Sequence, residues 1–305
     1  MADGTVPRLF CFGLGYSASH LARRLLHRGW HVAGTVRSAE KADQLREQGL
    51  EVHLFDRDHP LADPAATLAG TTHLLISVPP DGQGAGDAAL DHHGADLAAC
   101  ADQLHWAGYL STTGVYGNRD GGWVDENSEL CPSSARSARR VQAETAWRRM
   151  HIDHGVPMHT FRLAGIYGPG RGPFRSIREG KAKRIDLPEQ KFGRIHVEDI
   201  GDVLEASIAR PDPGAIYNVS DDEPAAPADV TQFACELLGV EPPPLVSWEE
   251  ADMSAMARTF WQDNKRVDNS KVHRDLGVQF RYPTYREGLQ AVLQAETQTP
   301  VERRS

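Results

Sequence analysis

Hydroxyl and guanidinium side chains stand close together in the middle of the chain. The run Ser111–Gly117, with the sequence STTGVYG, follows a short apolar segment, and Arg136, Arg140 and Glu144 follow at intervals of four residues. On a helix this spacing places the three side chains on one face. A serine or threonine hydroxyl can hydrogen-bond a reacting oxygen, but arginine cannot act as a base because its guanidinium stays protonated in proteins. We therefore expect hydrogen bonding and positive charge here, with the source of any transferred proton elsewhere.

Glycines near the N-terminus form a second functional pattern. Gly13, Gly15 and Ala18 lie between an apolar run and the start of a helical pattern. There, Gly13 permits a tight turn, Gly15 lets the backbone approach a pyrophosphate, and Ala18 allows close packing of helix on strand. The free N–H groups at the start of the helix then face the phosphates. The predicted cofactor-binding residues are Gly13, Gly15, Tyr16, Ser17 and Ala18. The alternative is a packing turn without a ligand.

The end of the second predicted strand bears on the choice between NAD and NADP. The segment 31–39 contains no acidic residue that would bind the ribose 2′-hydroxyl of NAD, and it offers Arg37, followed by Ser38. An arginine fork can pair with the oxygens of a 2′-phosphate and stack on adenine. We therefore expect NADP as the cofactor. NAD stays the alternative, because an exposed arginine is also common on plain surface.

The first half of the sequence alternates short apolar runs with helical patterns, which predicts parallel strands joined by crossover helices. The predicted strands are Arg8–Phe12, His31–Val36, Val52–Phe55, His73–Val78, Tyr109–Thr112 and Met158–Leu163, and the predicted helices are Ser17–Arg28, Ala39–Gln48 and about 134–154. That order implies an α/β fold, a doubly wound parallel sheet (Rossmann) with a ligand crevice at the carboxyl ends of the strands.

The second half is less regular, because glycine–proline pairs at 168–173 interrupt it. Predicted elements are the helices Val197–Ala209, Pro227–Leu238, Asn269–Leu276 and Tyr285–Ala295, the strand Ala215–Val219 and a polar tail, Thr297–Ser305. The segment from Arg171 to Arg194 contains eight basic residues and three acidic ones. We expect a dinucleotide-binding domain over 1–165, rejoined by about 192–220, and a smaller, mostly helical C-terminal substrate lobe over 166–191 and 221–305.

Composition excludes several classes of function. The formal charge of −9 argues against general nucleic-acid binding, which needs a basic surface. The four cysteines are far apart and form no C-x-x-C pair, so we expect no disulfide framework and no metal site. Asp91-His92-His93 does not change this, because adjacent helical residues point about 100° apart. Without a membrane-spanning apolar run of roughly 18 residues or a secretory pattern at its start, the chain is predicted to be cytoplasmic, with no membrane partner.

Several motifs together resemble the extended short-chain dehydrogenase/reductases, the family that includes nucleotide-sugar epimerases and dehydratases. They are the run 111–117, Arg162–Arg171, Ile195–Ile200, Tyr217–Pro224 and Lys265–Ser270. In that family the helical frame reads Tyr-x-x-x-Lys-x-x-x-Glu, with the tyrosine as general acid/base and the lysine holding the nicotinamide ribose. This chain has Arg136 and Arg140 instead, as in an atypical subgroup resembling nucleoside-diphosphate-sugar epimerases in which the Tyr and Lys are also missing. The resemblance therefore implies a fold and a cofactor class rather than a defined reaction.

The resemblance also implies roles for individual residues. Thr112 matches the catalytic hydroxyl that hydrogen-bonds the reacting oxygen, Arg140 replaces the lysine at the ribose, and Asp56 lies near the adenine. The path to the nicotinamide ribose is lined by Ser77, Val78 and Pro79. The alternatives are a threonine that bonds local backbone, an exposed ion pair of Arg140 with Glu144, and an aspartate that forms a turn.

Proton donors and substrate ligands complete the expected site. Tyr116 and Tyr167 are candidates for the proton donor. An ordinary tyrosine pKa of about 10 would have to be lowered by nearby cations for this role. The alternative is that both tyrosines only pack in the core. Arg136 would contact an anionic substrate, and Arg171 and Arg175 would grip its phosphate or carboxylate. The alternative for the basic segment is an exposed loop without a ligand.

These expectations define two functions from different classes. The first is an NADP-dependent oxidoreductase or epimerase-type enzyme that acts on a small anionic substrate, such as a sugar phosphate or a nucleotide-linked sugar. The second is a non-catalytic sensor whose partner reads the bound NADP(H), because binding and chemistry use different residues. The resemblance further implies a homodimer in which the arginine-rich helix predicted at about 134–154 contacts the partner subunit.

Overall fold

A seven-stranded parallel sheet is the largest element of the structure, a computed structural model that describes residues 6–84, 86–253, 258 and 261–298. In spatial order its strands are Ile216–Val219 (β11), Met158–Leu163 (β7), Trp106–Thr112 (β5), His73–Ile76 (β4), Arg8–Phe12 (β1), His31–Val36 (β2) and Glu51–Leu54 (β3). The chain order reverses beside β1, since β2 and β3 lie on one side and β4 on the other. The predicted doubly wound α/β fold is confirmed, and the glycine turn after β1 lies at the switch point where such sheets bind ligands.

The central strands are mostly apolar and buried because helices cover both faces of the sheet. All four residues of β4 are buried, and so are four of the five residues of β1. Phe10 of β1 stands in register with Ala33 of β2 on one side and with Leu74 of β4 on the other. This packing fixes the positions of the turns that follow β1 and β4.

Helices connect the strands of this sheet and make up much of the remaining structure. Within the described chain they are Tyr16–His27 (α1), Ala39–Arg46 (α2), Pro64–Leu68 (α3), Ala88–Ala99 (α4), Ala135–His154 (α5), Pro173–Arg178 (α6), Val197–Ala209 (α7), Pro227–Leu238 (α8), Ser270–Leu276 (α9) and Tyr285–Gln298 (α10). The side chains of Ser38, Asp63 and Asp87 cap the N-termini of α2, α3 and α4. Gly239 and Gly277 end α8 and α9 in the left-handed conformation.

Several boundaries differ from the sequence-based prediction. The crossover between β4 and β5 contains α4, which the prediction omitted because this alanine-rich segment has a weak amphipathic pattern. β5 begins at Trp106, three residues before the predicted start. α10 continues to Gln298, so Thr297 is helical rather than part of a tail, and residues 299–305 lie outside the described chain.

The described residues pack into two compact units. One contains the chain up to Val115 together with Ala135–Arg162 and Val203–Tyr217, and Tyr109 and Trp147 lie in its core. The other contains Tyr116–Ser134, Leu163–Asp202 and the chain from Asn218 onward.

The second unit combines helices with short strand pairs. Its core is formed by side chains of the strand Gly165–Tyr167 and of α6, α8 and α10, and includes Tyr167, Phe174, Val230, Tyr285 and Leu289. Its paired strands are Trp123–Val124 (β6) with Arg266–Val267 (β13), Gly165–Tyr167 (β8) with Arg194–His196 (β10), and Arg184–Ile185 (β9) with Leu245–Val246 (β12). None of the helices described here is both long enough and apolar enough to cross a membrane.

Candidate cofactor and active site

The glycine turn after β1 is bonded to the neighbouring strand β2. The Gly13 amide donates to the Thr35 hydroxyl over 2.8 Å, and the Leu14 amide donates to the Thr35 carbonyl over 2.7 Å. Gly13 has a φ of +91°, and a Cβ at this position would lie 3.0 Å from Val78 Cγ1. Both the backbone conformation and the lack of space require glycine. The structure thus brings Gly13 and Val78 together, as expected if both line one ligand path.

Helix α1 begins directly after this turn. Gly15 occupies the N-cap position, and no side chain in the described part of the protein caps the helix there. Ala18 is fully buried and Ser17 nearly so, which lets the helix lie close to the sheet. N–H groups at an uncapped helix start, together with the positive end of the helix dipole, suit a phosphate. Tyr16 is the first helical residue, so all five predicted residues belong to this one corner.

A lysine that the sequence-based prediction missed reaches the same turn. Lys41, in the first turn of α2, donates from Nζ to the Leu14 carbonyl over 2.7 Å. Partial burial lowers the pKa of Lys41, and the positive charge of Arg37 lowers it further, so the two cations lie near one another. Ser38 caps α2 by accepting a hydrogen bond from the Lys41 amide. The four-residue spacing of Arg37 and Lys41 was visible in the sequence, but not the reach of Lys41 to the glycine turn.

Residues after the third and fourth strands have mainly structural bonds. Asp56 accepts hydrogen bonds at Oδ1 from the amides of Asp58 and His59 and contacts the His59 ring, and the bond with that ring is the largest cause of its lowered pKa. This is the turn-forming arrangement that the sequence left as an alternative. The amides of Ser77 and Val78 both donate to the Phe12 carbonyl, which holds the segment leading to Pro79 beside the glycine turn.

Arg140 is directed toward β5. Its Nη1 donates to the Tyr109 hydroxyl and to the Leu110 carbonyl, each over 3.0 Å, and its guanidinium carbon lies 5.5 Å from the centre of the Tyr109 ring. These bonds engage one of the two terminal nitrogens. Arg140 therefore anchors α5 to β5, and its role as a ribose ligand stays a prediction.

Glu144 is buried and pairs with a different arginine from the one considered in the sequence. Arg162 on β7 donates to both carboxylate oxygens, with Nη2 2.8 Å from Oε2, and the Ser111 hydroxyl donates to Oε1. Glu144, Arg162 and Ser111 are 7%, 3% and 5% exposed. The alternative of an exposed pair between Arg140 and Glu144 is therefore wrong, because Glu144 is buried and its carboxylate is bonded to β5 and β7.

The predicted catalytic hydroxyl lies at the end of β5. Thr112 is half-buried and accepts a hydrogen bond from the Gly114 amide over 3.2 Å. This is the local backbone bond that the sequence offered as an alternative, and it leaves the hydroxyl proton available for another acceptor. Arg136, at the start of α5, is exposed.

Both tyrosines considered as proton donors are buried residues. Tyr116 is fully buried and donates to Asn218 Oδ1 over 2.6 Å. Tyr167 packs against α10, where a Cβ on Gly288 would overlap its hydroxyl, and burial raises its pKa far above the usual range. These are the surroundings of packing residues, the other reading that the sequence allowed.

The first part of the basic segment, from Arg171 to Lys183, has exposed basic side chains, and most of them form ion pairs. Arg171 donates from Nε to the Ile166 carbonyl over 3.1 Å, and Arg175 forms an ion pair with Glu179 at 2.8 Å. Further pairs join Arg178 to Glu296 and Lys181 to Glu179. A substrate anion would have to compete with these carboxylates.

The adjacent histidines of α4 have structural partners. His93 accepts the Leu61 amide at Nε2 and contacts Asp96 at Nδ1, while His92 contacts the Arg57 carbonyl. No group of three or more potential metal ligands occurs in the part of the chain that is described.

Comparisons with known proteins agree with this reading of the fold. No family model matches the chain. Protein YeeZ from Escherichia coli strain K12 is 28% identical over 278 residues, which span 89% of this chain and 94% of that protein. A conserved protein of unknown function from Silicibacter pomeroyi, whose structure has been solved, is 49% identical, with a TM-score of 0.87 over 95% of this chain and 99% of the other.

A solved structure with a stated activity is the UDP-glucuronic acid 4-epimerase from Bacillus cereus in complex with NAD. It is 17% identical, with a TM-score of 0.75 over 96% of this chain and 99% of the epimerase. These similarities confirm the predicted resemblance to the NAD-dependent epimerases and dehydratases at the level of the fold. The chain therefore belongs to one family with the Silicibacter pomeroyi protein and has the fold of the NAD-dependent epimerases and dehydratases.

Proposed function

We propose that the protein binds NADP(H) and is an oxidoreductase or epimerase-type enzyme that acts on a small anionic substrate. The observation that carries the cofactor assignment is the turn at Gly13 and Gly15, which is bonded to Thr35 and leads into the start of α1. The residues proposed to hold the pyrophosphate are Gly13, Gly15, Tyr16, Ser17 and Ala18. When bound, the nicotinamide would supply hydride transfer.

The preference for NADP over NAD rests on charge at the end of β2. Arg37 and Lys41 place two cations beside the capped start of α2, and Ser38 adds a hydroxyl. A 2′-phosphate would form charge-assisted hydrogen bonds with such a group. Glu40 lies in the same helical turn, so the two cations must outweigh one carboxylate.

Two alanine variants test this preference. Arg37→Ala and Lys41→Ala should each weaken the binding of NADPH about tenfold and leave the binding of NADH within about twofold, since only NADPH carries the 2′-phosphate. Arg46→Ala is the matched control, because it removes a positive charge from the other end of α2, where Arg46 pairs with Asp43. Equal losses for both cofactors would contradict the assignment.

The substrate class rests on exposed positive charge and on the relatives. The Bacillus cereus epimerase has been crystallised with UDP-glucuronic acid and NAD, an anionic nucleotide sugar and a dinucleotide. In this chain the exposed guanidinium groups of Arg136, Arg171 and Arg175 would contact the anion, and Thr112 would hydrogen-bond the reacting oxygen. The proposed set is completed on the cofactor side by Asp56, Ser77, Val78, Pro79 and Arg140, and on the substrate side by Tyr167. Tyr116 is left out of it, because its buried hydroxyl is bonded to Asn218.

Thermal unfolding with ligands tests this substrate class. Nucleotide sugars or sugar phosphates should raise the melting temperature of the NADPH-loaded protein, because a ligand that binds only the folded state stabilises it. Arg136→Ala should remove most of that rise, whereas Arg149→Ala, an exposed arginine on the same helix, should leave it unchanged. Failure of every phosphorylated sugar to stabilise the loaded protein would contradict the substrate class.

We further propose that the enzyme is located in the cytoplasm and forms a homodimer.

A non-catalytic NADP(H) sensor is the second candidate. The observation in its favour is that Tyr116 and Tyr167 are both buried, while the frame positions hold arginines that cannot transfer a proton. Single-turnover mixing of the NADPH-loaded protein with a panel of carbonyl compounds separates the two. Loss of the absorbance of the reduced nicotinamide supports the enzyme, and its persistence with every compound supports the sensor.

A further inference from the structure

Helix α5 is attached to three consecutive residues at the end of β5. Arg140 bonds to the Tyr109 hydroxyl and the Leu110 carbonyl, and Glu144, one turn later, accepts the Ser111 hydroxyl. The next residue along the strand is Thr112, the proposed hydrogen-bond partner of the substrate. The three residues bonded to α5, Tyr109 to Ser111, therefore directly precede Thr112 in the strand.

The carboxylate that accepts Ser111 is itself held from the neighbouring strand. Arg162 is the next-to-last residue of β7, as Ser111 is of β5, and these strands lie side by side in the sheet. Arg162 Nε lies 3.2 Å from Glu144 Oε1, and Nη2 lies 2.8 Å from Oε2. Two oxygens thus accept bonds from two strand ends, and this fixes where the carboxylate stands.

Alternation along a strand makes this arrangement relevant to Thr112. Successive side chains of a strand point to opposite faces, so a bond that holds Ser111 toward α5 turns the Thr112 side chain the other way. Ligands of doubly wound sheets bind beyond the carboxyl ends of the strands. The orientation of Thr112 at that edge therefore depends on the Ser111 bond.

We propose that Ser111, Glu144 and Arg162 are positioning residues that hold the end of β5 in the orientation that the nicotinamide half of the cofactor and Thr112 require. This inference rests on the proposed function, because it assumes that a dinucleotide binds at this edge. The buried ion pair alone is weak evidence for a gain in stability, since removing both charges from water is costly. A positioning role explains why the Glu144 carboxylate also accepts a hydrogen bond from the Ser111 hydroxyl.

The strand offers a matched control at its other end. Trp106, the first residue of β5, donates from its indole nitrogen to the Ser207 hydroxyl over 3.0 Å, and Ser207 is fully buried. Ser111→Ala and Ser207→Ala therefore remove the same hydroxyl from opposite ends of one strand. A purely structural role predicts similar consequences for both.

The experiment measures the affinities of wild type and both variants for NADPH and for 2′-phospho-ADP-ribose, which lacks the nicotinamide. Ser111→Ala should weaken NADPH about fivefold or more and leave 2′-phospho-ADP-ribose within about twofold, in line with the loss of one hydrogen bond to a charged group. Ser207→Ala should leave both affinities unchanged, and Ser111→Thr, which keeps the hydroxyl, should restore NADPH binding.

Other outcomes overturn the inference in distinguishable ways. Unchanged NADPH affinity in Ser111→Ala, or equal loss for both ligands, would show that the group only stabilises the fold. If Ser111→Ala does not fold, Ser111→Thr decides, since it should bind NADPH like wild type and a large loss would contradict positioning through this hydroxyl. Failure of the wild type to bind either ligand would overturn the proposed function and this inference with it.

Discussion

Glu144 on α5 and Arg162 on β7 form a buried ion pair, with Oε2 and Nη2 2.8 Å apart. The glutamate that closes the helical frame is therefore turned toward the sheet, and so is Arg140, which bonds to β5. Arg136 at the start of the frame is exposed. The frame divides into one residue free to meet a ligand and two that hold the strand ends.

Removing one member of the ion pair should destabilise the protein strongly. Arg162→Met leaves the Glu144 carboxylate buried without a counter-charge, and we expect a loss of about 3–5 kcal/mol in the free energy of unfolding. Urea denaturation measures this loss. The double variant Arg162→Met with Glu144→Leu should regain most of it, because no isolated charge remains buried. A double variant as unstable as Arg162→Met would contradict this account of the pair.

Asp199 should make stability depend on pH. Burial raises its pKa to about 6, and the negative charge of Asp202 adds to the shift. Between pH 4 and 6 the folded protein then binds more protons than the unfolded chain, so stability falls as pH rises through this range, by at most about 3 kcal/mol from this group. Above pH 6 the group is ionised in both states and contributes no further slope.

The check is a comparison of urea unfolding for wild type and Asp199→Asn from pH 4 to pH 7. Asparagine does not ionise, and its amide oxygen can still accept from the Arg281 amide, which lies 2.7 Å from the Asp199 carboxylate. As the pH rises from 4 to 6, the free energy of unfolding of the wild type should fall relative to that of the variant. A constant difference across the range would contradict the raised pKa.

Gly117, which ends the STTGVYG run, should not tolerate a side chain. Its φ is +67°, and a Cβ would overlap the carbonyl oxygen of Cys131. Gly117→Ala should therefore cost about 1–3 kcal/mol through backbone strain and overpacking. Thermal unfolding would show this as a lower midpoint. Gly180→Ala is the control, since Gly180 has a similar φ of +66° but no atom within 4 Å of the added carbon.

Tyr116→Phe separates packing from proton transfer. The variant removes the hydrogen bond to Asn218 and leaves an unpaired buried amide oxygen, so we expect a loss of about 1–3 kcal/mol in stability. Cofactor binding and any oxidation of NADPH should persist at temperatures where the variant is folded. Loss of NADPH oxidation with an unchanged melting temperature would instead make Tyr116 the missing proton donor.

The parts predicted well from the sequence depend on local pattern. The glycine turn was placed correctly because Gly13, Gly15 and Ala18 act through backbone conformation and small size, which the residue type specifies directly. The helices Val197–Ala209 and Pro227–Leu238 have the predicted bounds because their apolar residues recur with helical period. The central strands were found because they are continuous apolar runs.

The parts that were missed depend on contacts between distant residues. The spacing of Arg140 and Glu144 placed them on one helix face, but the sequence did not show that this face is covered, since the partner Arg162 comes from another strand. Lys41 reaches Leu14 across 27 residues of sequence, which no local pattern records. The pairing of Arg175 with Glu179 was in the sequence at helical spacing and argued for the unliganded alternative.

Whether the protein is an NADP-binding protein is decided by the affinities of the wild type for NADPH and for NADH, measured by calorimetry under the same conditions. Both cofactors should bind at one site per chain, and NADPH should bind about tenfold or more tightly, because Arg37 and Lys41 pair with its 2′-phosphate. Tighter binding of NADH, or binding of neither cofactor, would contradict the assignment of NADP.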